Sequence, residues 1–123
     1  QLRQENMTLE QLYNENYALS DGEILAVQID KEDTATAKIK ISTIQHLKKG
    51  KYRKCKLLIT LNNVIEVNIF DNDDMFGYYS DTTLIQLENK HYYISFDPFG
   101  NTNEMNEKDN YVFISENIEF IEL

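Results

Sequence analysis

From Glu23 to Asp30 the chain reads "EILAVQID", with apolar side chains at every second position: Leu25, Val27 and Ile29. Period two is the mark of a strand with one buried face, because successive side chains leave a pleated backbone on opposite sides. The pattern repeats in "TAKIKIS" as Ala37, Ile39 and Ile41, after the charged Lys31-Glu32-Asp33 turn, so the two runs predict a hairpin. Further on, "KYRKCKLLITL" sets Cys55, Leu57, Ile59 and Leu61 against Lys54, Lys56 and Thr60, and "VIEVNIF" sets Ile65, Val67 and Ile69 against Glu66 and Asn68. A slip of one residue would turn every side chain to the wrong face, so register discriminates between turns. A three-residue loop around Asn62 and Asn63 pairs Leu61 with Ile65 and Ile59 with Val67, and brings Glu66 to Lys54 and Lys56 outside. A two-residue Asn89-Lys90 turn sets Leu87 opposite Tyr92, Ile85 opposite Ile94 and Glu88 opposite His91. "YVFIS" and "IEFIE" pair through a loop centred on Glu116, with Ile114 opposite Ile118 and Val112 opposite Phe120.

Thr8-Leu9-Glu10-Gln11 has the form of a capping box, in which the threonine oxygen and the glutamine side chain each satisfy an end group of a helix. Leu9, Leu12, Tyr13 and Tyr17 follow near helical spacing, predicting one helix over about 8–18 that ends at Ser20-Asp21-Gly22. The expected fold is mainly β (α+β): one short N-terminal helix, then an antiparallel, hairpin-rich sheet of about eight strands forming a sandwich or partly open barrel. At 123 residues a single domain spanning 1–123 is expected, with residues 1–7 disordered or foreign to the natural chain; either Met7 is the natural start or the chain is a cut from something longer.

No apolar run approaches the roughly 18 residues that span a bilayer, and no signal peptide opens the chain, so a soluble protein is expected. The single Cys55 cannot form an internal disulfide, which points to the cytoplasm. Abundant asparagine, isoleucine, lysine and tyrosine look like the codon bias of an AT-rich, bacterial genome. The net charge of −9 is unevenly spread: −6 over residues 1–37, +8 over 38–56 and −11 over 57–123. Such a field steers basic partners in and keeps nucleic acid away, except where the basic stretch itself could hold a phosphate.

Two long loops concentrate the candidate chemistry. "DNDDMFGYYSD", from Asp71 to Asp81, fails as an EF-hand: counted from Asp71 the fifth residue is Met75, the sixth Phe76 and the twelfth Thr82, where calcium needs oxygen ligands and a glycine. It instead mixes acids with aromatics, and "DPFGNTNEMNEKDN" from Asp97 to Asn110 repeats the recipe. Tyrosine, phenylalanine and methionine are enriched at interfaces, and carboxylates accelerate encounters with a basic surface. The expected partner-binding residues are Asp71, Asp73, Asp74, Phe76, Tyr78, Tyr79 and Phe99; the alternative is that the aromatics fold back as a satellite core. A rival site is "HLKKGKYRKCK", where Lys48, Lys49, Lys51, Arg53 and Lys54 around Tyr52 could track a phosphate backbone. Cys55 with His46 or His91 is the one nucleophile and base set, but Cys55 sits on an inward face and His91 has Glu88 across its turn. The loop carboxylates leave open only a looser calcium site made with another loop; no spacing suggests another metal site or a cofactor, and no catalysis is expected.

The segments "LSDGEILAVQID", "KCKLLITLNNVIEVNIF" and "YYISFD…DNYVFISENIEF", in this order over residues 19–121, resemble small acidic immunity-type proteins of bacterial polymorphic toxin systems. The resemblance implies a non-catalytic protein that binds and neutralises a toxin domain. Two other readings stand beside it: a nucleic-acid or phosphate-binding module using residues 46–56, and a structural domain of a larger assembly.

Overall fold

Thr8 begins the helix as the sequence predicts. Its Oγ1 accepts from the Gln11 amide at 3.2 Å while Gln11 Oε1 accepts from the Thr8 amide at 2.9 Å, completing the capping box. The computed structural model describes residues 5–30, 35–69, 77–100 and 103–123. The helix α1 (Leu9–Asn14) is shorter than expected. Asn16 takes a left-handed φ of 64° and the chain leaves the helix to let Tyr17 bridge to Gln45, so strand pairing overrides helical periodicity there.

Among the described residues seven strands follow: β1 (Gly22–Asp30), β2 (Thr36–His46), β3 (Tyr52–Asn68), β4 (Gly77–Tyr79), β5 (Thr83–Gln86), β6 (Tyr92–Asp97) and β7 (Asn110–Glu122). They form one antiparallel sheet in the order β4-β1-β2-β3-β7-β6-β5, curled into a half-barrel. Among the described residues no helix is long and apolar enough to cross a membrane. The inward faces supply the core: Ala37, Ile39 and Ile41 from β2, Leu57, Ile59 and Leu61 from β3, Phe113 and Phe120 from β7. Each fully buried large side chain among them contributes roughly 1.5–3 kcal/mol over an exposed one.

Two of the four expected hairpins are each a single strand, which takes eight strands to six, and the unexpected β4 brings the described number to seven. Residues 52–68 and 110–122 each run as one long strand where a hairpin was expected, and the two pair with each other along their length. The expected turns face one another in that ladder, Asn62 opposite Asn117 and Val64 opposite Ser115, with a register shift between Val64 and Glu66. Asn63 does adopt the left-handed φ, 56°, but uses it to bend a continuous strand. Consequently Leu61 lies opposite Ile118 rather than Ile65, Val67 opposite Phe113, and Glu66 opposite Ile114, away from Lys54 and Lys56. Ile65 and Val67 are left largely exposed.

Two smaller registers also differ. A bulge between Ile24 and Ala26 puts Ile24, not Leu25, into the core, while Val27 and Ile29 keep their inward side. The β5–β6 turn has three residues, with Lys90 at φ 73° and Leu87 donating to the His91 carbonyl at 2.8 Å, so Leu84 faces Ile94 and Ile85 faces Tyr93. Glu88 therefore does not face His91; Leu87 does.

The N-terminal segment closes the end of the half-barrel. β6 pairs with β7 only as far as Ser115, and β1 pairs with β2 only as far as Ser42, which leaves ladder groups beyond each. Met7 takes the first gap by exchanging backbone hydrogen bonds with Phe120, and Asn16, Tyr17 and Ala18 take the second against β2. Met7 and Leu12 are carried into the core between these anchors.

Candidate functional site

The described ends of the two acidic and aromatic loops meet. β4 pairs with Gly22–Ile24 at one edge of the sheet, while β6 and β7 lie toward the other, and the open side of the half-barrel brings them face to face. A cleft of about 300 Å³ lies between them, lined by Tyr78, Tyr79 and Asp81 from the first loop and by Asp97, Pro98 and Tyr111 around the second. Tyr111 holds a left-handed φ of 50°, which a bulky side chain adopts only where its surroundings enforce it.

The expected contact residues divide. Tyr78 is 69% exposed, yet its hydroxyl donates to Asp21 Oδ1 at 2.6 Å, so the ring stands outward in a fixed pose. That bond to a carboxylate raises the phenol above its ordinary range. Tyr79 turns the other way and is corrected to a core residue: it is 7% exposed and its ring meets Phe96 edge-on at 5.2 Å. Its hydroxyl donates to the Leu19 carbonyl, and burial pushes its pKa upward. Gly22 makes this possible, since a Cβ there would lie 2.7 Å from the Tyr79 hydroxyl and 2.9 Å from the Ser42 carbonyl. From the sequence alone this glycine reads only as a helix stop. Phe99 is exposed beside the lining Pro98, and Lys108 Nζ sits 4.9 Å above its ring. Asp71, Asp73, Asp74 and Phe76 lie outside the described residues.

One residue that organises this region went unnoticed in the sequence. Asp109 is 1% exposed, and its carboxylate accepts from the Tyr93 hydroxyl, from the Phe99 amide at 2.7 Å and from the Asn106 amide at 3.0 Å. Three donors converging on one anion fix both ends of the loop that carries Phe99 and Met105. The signal was available in "NEKD", because an Asn or Asp three residues apart commonly closes a tight turn through side-chain bonds to the backbone. The loop also borders a second groove on the back of the sheet, between Met105 and the outward side chains of Val112 and Ile114. Burial and the Asp109 bond push the Tyr93 phenol upward.

The rival basic segment divides as well. Lys48–Gly50 forms a single 3-10 turn, and Lys48, Lys49, Lys51 and Lys54 are exposed. Arg53 is corrected from phosphate contact to internal partner: it points inward and grips Glu122 with Nη1 at 2.7 Å and Nη2 at 2.5 Å, while Nε donates to Gln45 Oε1 at 2.7 Å. Tyr17 donates its hydroxyl to the same Glu122 at 2.5 Å. The Arg53 hydrogen bonds hold the Glu122 carboxyl below its ordinary range, and burial raises the Tyr17 phenol. Cys55 is buried, and burial raises its thiol, the reverse of what activates a nucleophile. Among the described residues no three His, Cys, Asp or Glu side chains gather closely enough to hold a metal ion. No protein-family model, curated protein or solved structure matches the chain.

Proposed function

We propose that this chain is a non-catalytic, acidic protein-binding domain that works in the cytoplasm and whose partner is a basic protein, in the manner of an immunity protein that neutralises a toxin. The observation that carries the reading is the convergence of two loops, on either side of the β5–β6 hairpin in sequence, on one cleft edged by Asp81, Asp97 and the fixed ring of Tyr78. A pre-positioned aromatic loses little freedom on binding and supplies area, while carboxylates around it attract lysine and arginine from a distance. Phe99, held by Asp109 on the neighbouring loop, is the second anchor. Tyr79 leaves the contact set, because replacing it would damage the core instead of the interface.

The test is capture from lysate of the source organism at low and moderate salt, with and without nuclease, using the wild type, Tyr78→Ala and a double Asp81→Lys/Asp97→Lys variant. A basic protein retained through nuclease treatment, released about tenfold faster by Tyr78→Ala and lost with the double variant, is the expected result. Capture that vanishes with nuclease, or a protein held equally well by the charge-reversed cleft, would overturn the assignment. Circular dichroism of each variant checks that the sheet is intact.

A further inference from the structure

The basic run of the sequence becomes something more regular when folded. On the outer face of β2 and β3, paired residues form successive rows: His46 with Tyr52, Ile44 with Lys54, Ser42 with Lys56, Lys40 with Leu58, and Lys38 with Thr60. Four consecutive rows carry one lysine each, Lys54 and Lys56 on β3 and then Lys40 and Lys38 on β2, and each row lies about 6.8 Å from the next, two strand residues along. The other member of each row is uncharged. Among the described residues none of these lysines forms an ion pair; the pair that exists, Arg53 with Glu122, is on the inner face. The acids on this face are Asp30 and Glu23 on β1, opposite Thr36 and Ser42, and Glu119 on β7, opposite Thr60; Asp30 lines a small groove with Lys38 at the far end of the ladder.

We infer that this face is a second binding surface, and that it takes a single-stranded nucleic acid. The argument for a nucleic acid over an acidic protein is the spacing. One cation per row at a constant rise suits a polymer with one charge per repeat, whereas carboxylates on a folded protein come at irregular intervals. Tyr52 adds the second element, since it is 60% exposed in the row next to Lys54 and offers a flat face on which an unpaired base can stack. Lys48, Lys49 and Lys51 extend the positive surface past that end of the hairpin. The overall charge of −9 does not forbid this, because fields are screened over about 10 Å at ordinary ionic strength, shorter than the four-row ladder of about 20 Å. The inference is independent of the cleft: it uses other residues on another face.

Fluorescence anisotropy of labelled dT20 and U20 oligonucleotides against the whole chain tests it. Four phosphates neutralised on a single strand give a log–log salt slope of about −3, or about a 50-fold loss of affinity from 50 to 200 mM salt. Lys38→Ala, Lys40→Ala, Lys54→Ala and Lys56→Ala should each flatten that slope by about 0.7, and Tyr52→Ala should weaken binding about tenfold with the slope unchanged. Lys90→Asn, which removes a cation from the β5–β6 turn, should leave the slope as it is. No binding at 50 mM salt, a slope insensitive to the four lysines, or equal displacement by polyglutamate would each overturn the inference, the last by assigning the face to an acidic protein. These surface changes leave the core untouched, and unaltered circular dichroism confirms it for each variant.

Discussion

Replacing Glu122 by glutamine keeps its shape and removes one charge from the network that joins three strands to the N-terminal segment. In the wild type the carboxylate receives Arg53 at 2.5 and 2.7 Å and the Tyr17 hydroxyl at 2.5 Å, and Gln45, which also holds Arg53, reaches back to the Glu15 carbonyl at 2.8 Å. Removing one member of a fully buried ion pair costs roughly 3–5 kcal/mol, because the remaining charge is left without a partner. Here the Glu122 side chain is 1% exposed but that of Arg53 is 31% exposed, so water recovers part of the loss and about 2–3 kcal/mol remains. With an unfolding entropy of about 2.1 cal/mol/K per residue over 123 residues, that lowers Tm by about 8–12 °C. Thermal melts followed by circular dichroism measure it. The pH dependence adds a sign. The folded carboxyl titrates below its ordinary value, so its stabilisation is complete above about pH 4.3 and is lost as pH falls through the lowered folded pKa. The Tm gap between wild type and Glu122→Gln should therefore narrow in acid. A drop under about 3 °C at neutral pH, or a gap that stays constant down to pH 2, would show that Arg53 and Glu122 are a solvated pair of little consequence.

Three further outcomes are expected. Asp109→Ala leaves the Tyr93 hydroxyl and the Phe99 and Asn106 amides without their acceptor, at a cost of roughly 2–4 kcal/mol, and amide exchange at Phe99 and Asn106 should speed up while α1 keeps its protection; unchanged exchange would remove Asp109 as the loop's organiser. Gly22→Ala drives a methyl against the Tyr79 ring and the Ser42 carbonyl, one of them backbone, so the urea midpoint should fall by the equivalent of roughly 1–3 kcal/mol. Cys55 should resist a thiol reagent at pH 8 until the protein is unfolded, and prompt labelling of the native chain would contradict its burial.

How much of this was readable beforehand depends on the range of the interaction concerned. Alternation located the buried faces of β2 and β3 correctly, because Ile39, Ile41, Leu57 and Ile59 report a local property of the backbone. The capping box was equally local. What failed was the distinction between a turn and a bend. Asn62-Asn63 and the stretch around Glu116 each have turn chemistry, and each could close a hairpin in isolation. The two instead lie opposite one another in the β3–β7 ladder, and that pairing joins residues more than fifty apart. Arg53 was misread for a related reason: nothing near it in sequence announces Glu122, its partner sixty-nine residues away. The same holds for Asp109, whose role is visible only when Tyr93 and Phe99 are brought to it.

Net charge is the other quantity that folding reinterprets. The sum of −9 already hides a bipolar chain, with eight bases and no acid between residues 38 and 56. Strand alternation sorts that run by face, because neighbouring residues on a strand point to opposite sides: Arg53 goes inward to neutralise Glu122, and Lys54 and Lys56 go outward to join Lys38 and Lys40 on the adjacent strand. The half-barrel then separates the two signs in space. Lysines occupy the outer face of the central strands, while Asp81 and Asp97 edge the cleft on the open side where β4 faces β6 and the start of β7. The two surfaces use different residues on different faces, so salt should weaken each one separately. Charge reversal at Asp81 and Asp97 should then leave the oligonucleotide salt slope unchanged, and alanines at the four lysines should leave capture of a basic protein unchanged. Cross-effects in either direction would mean that the two surfaces belong to one site.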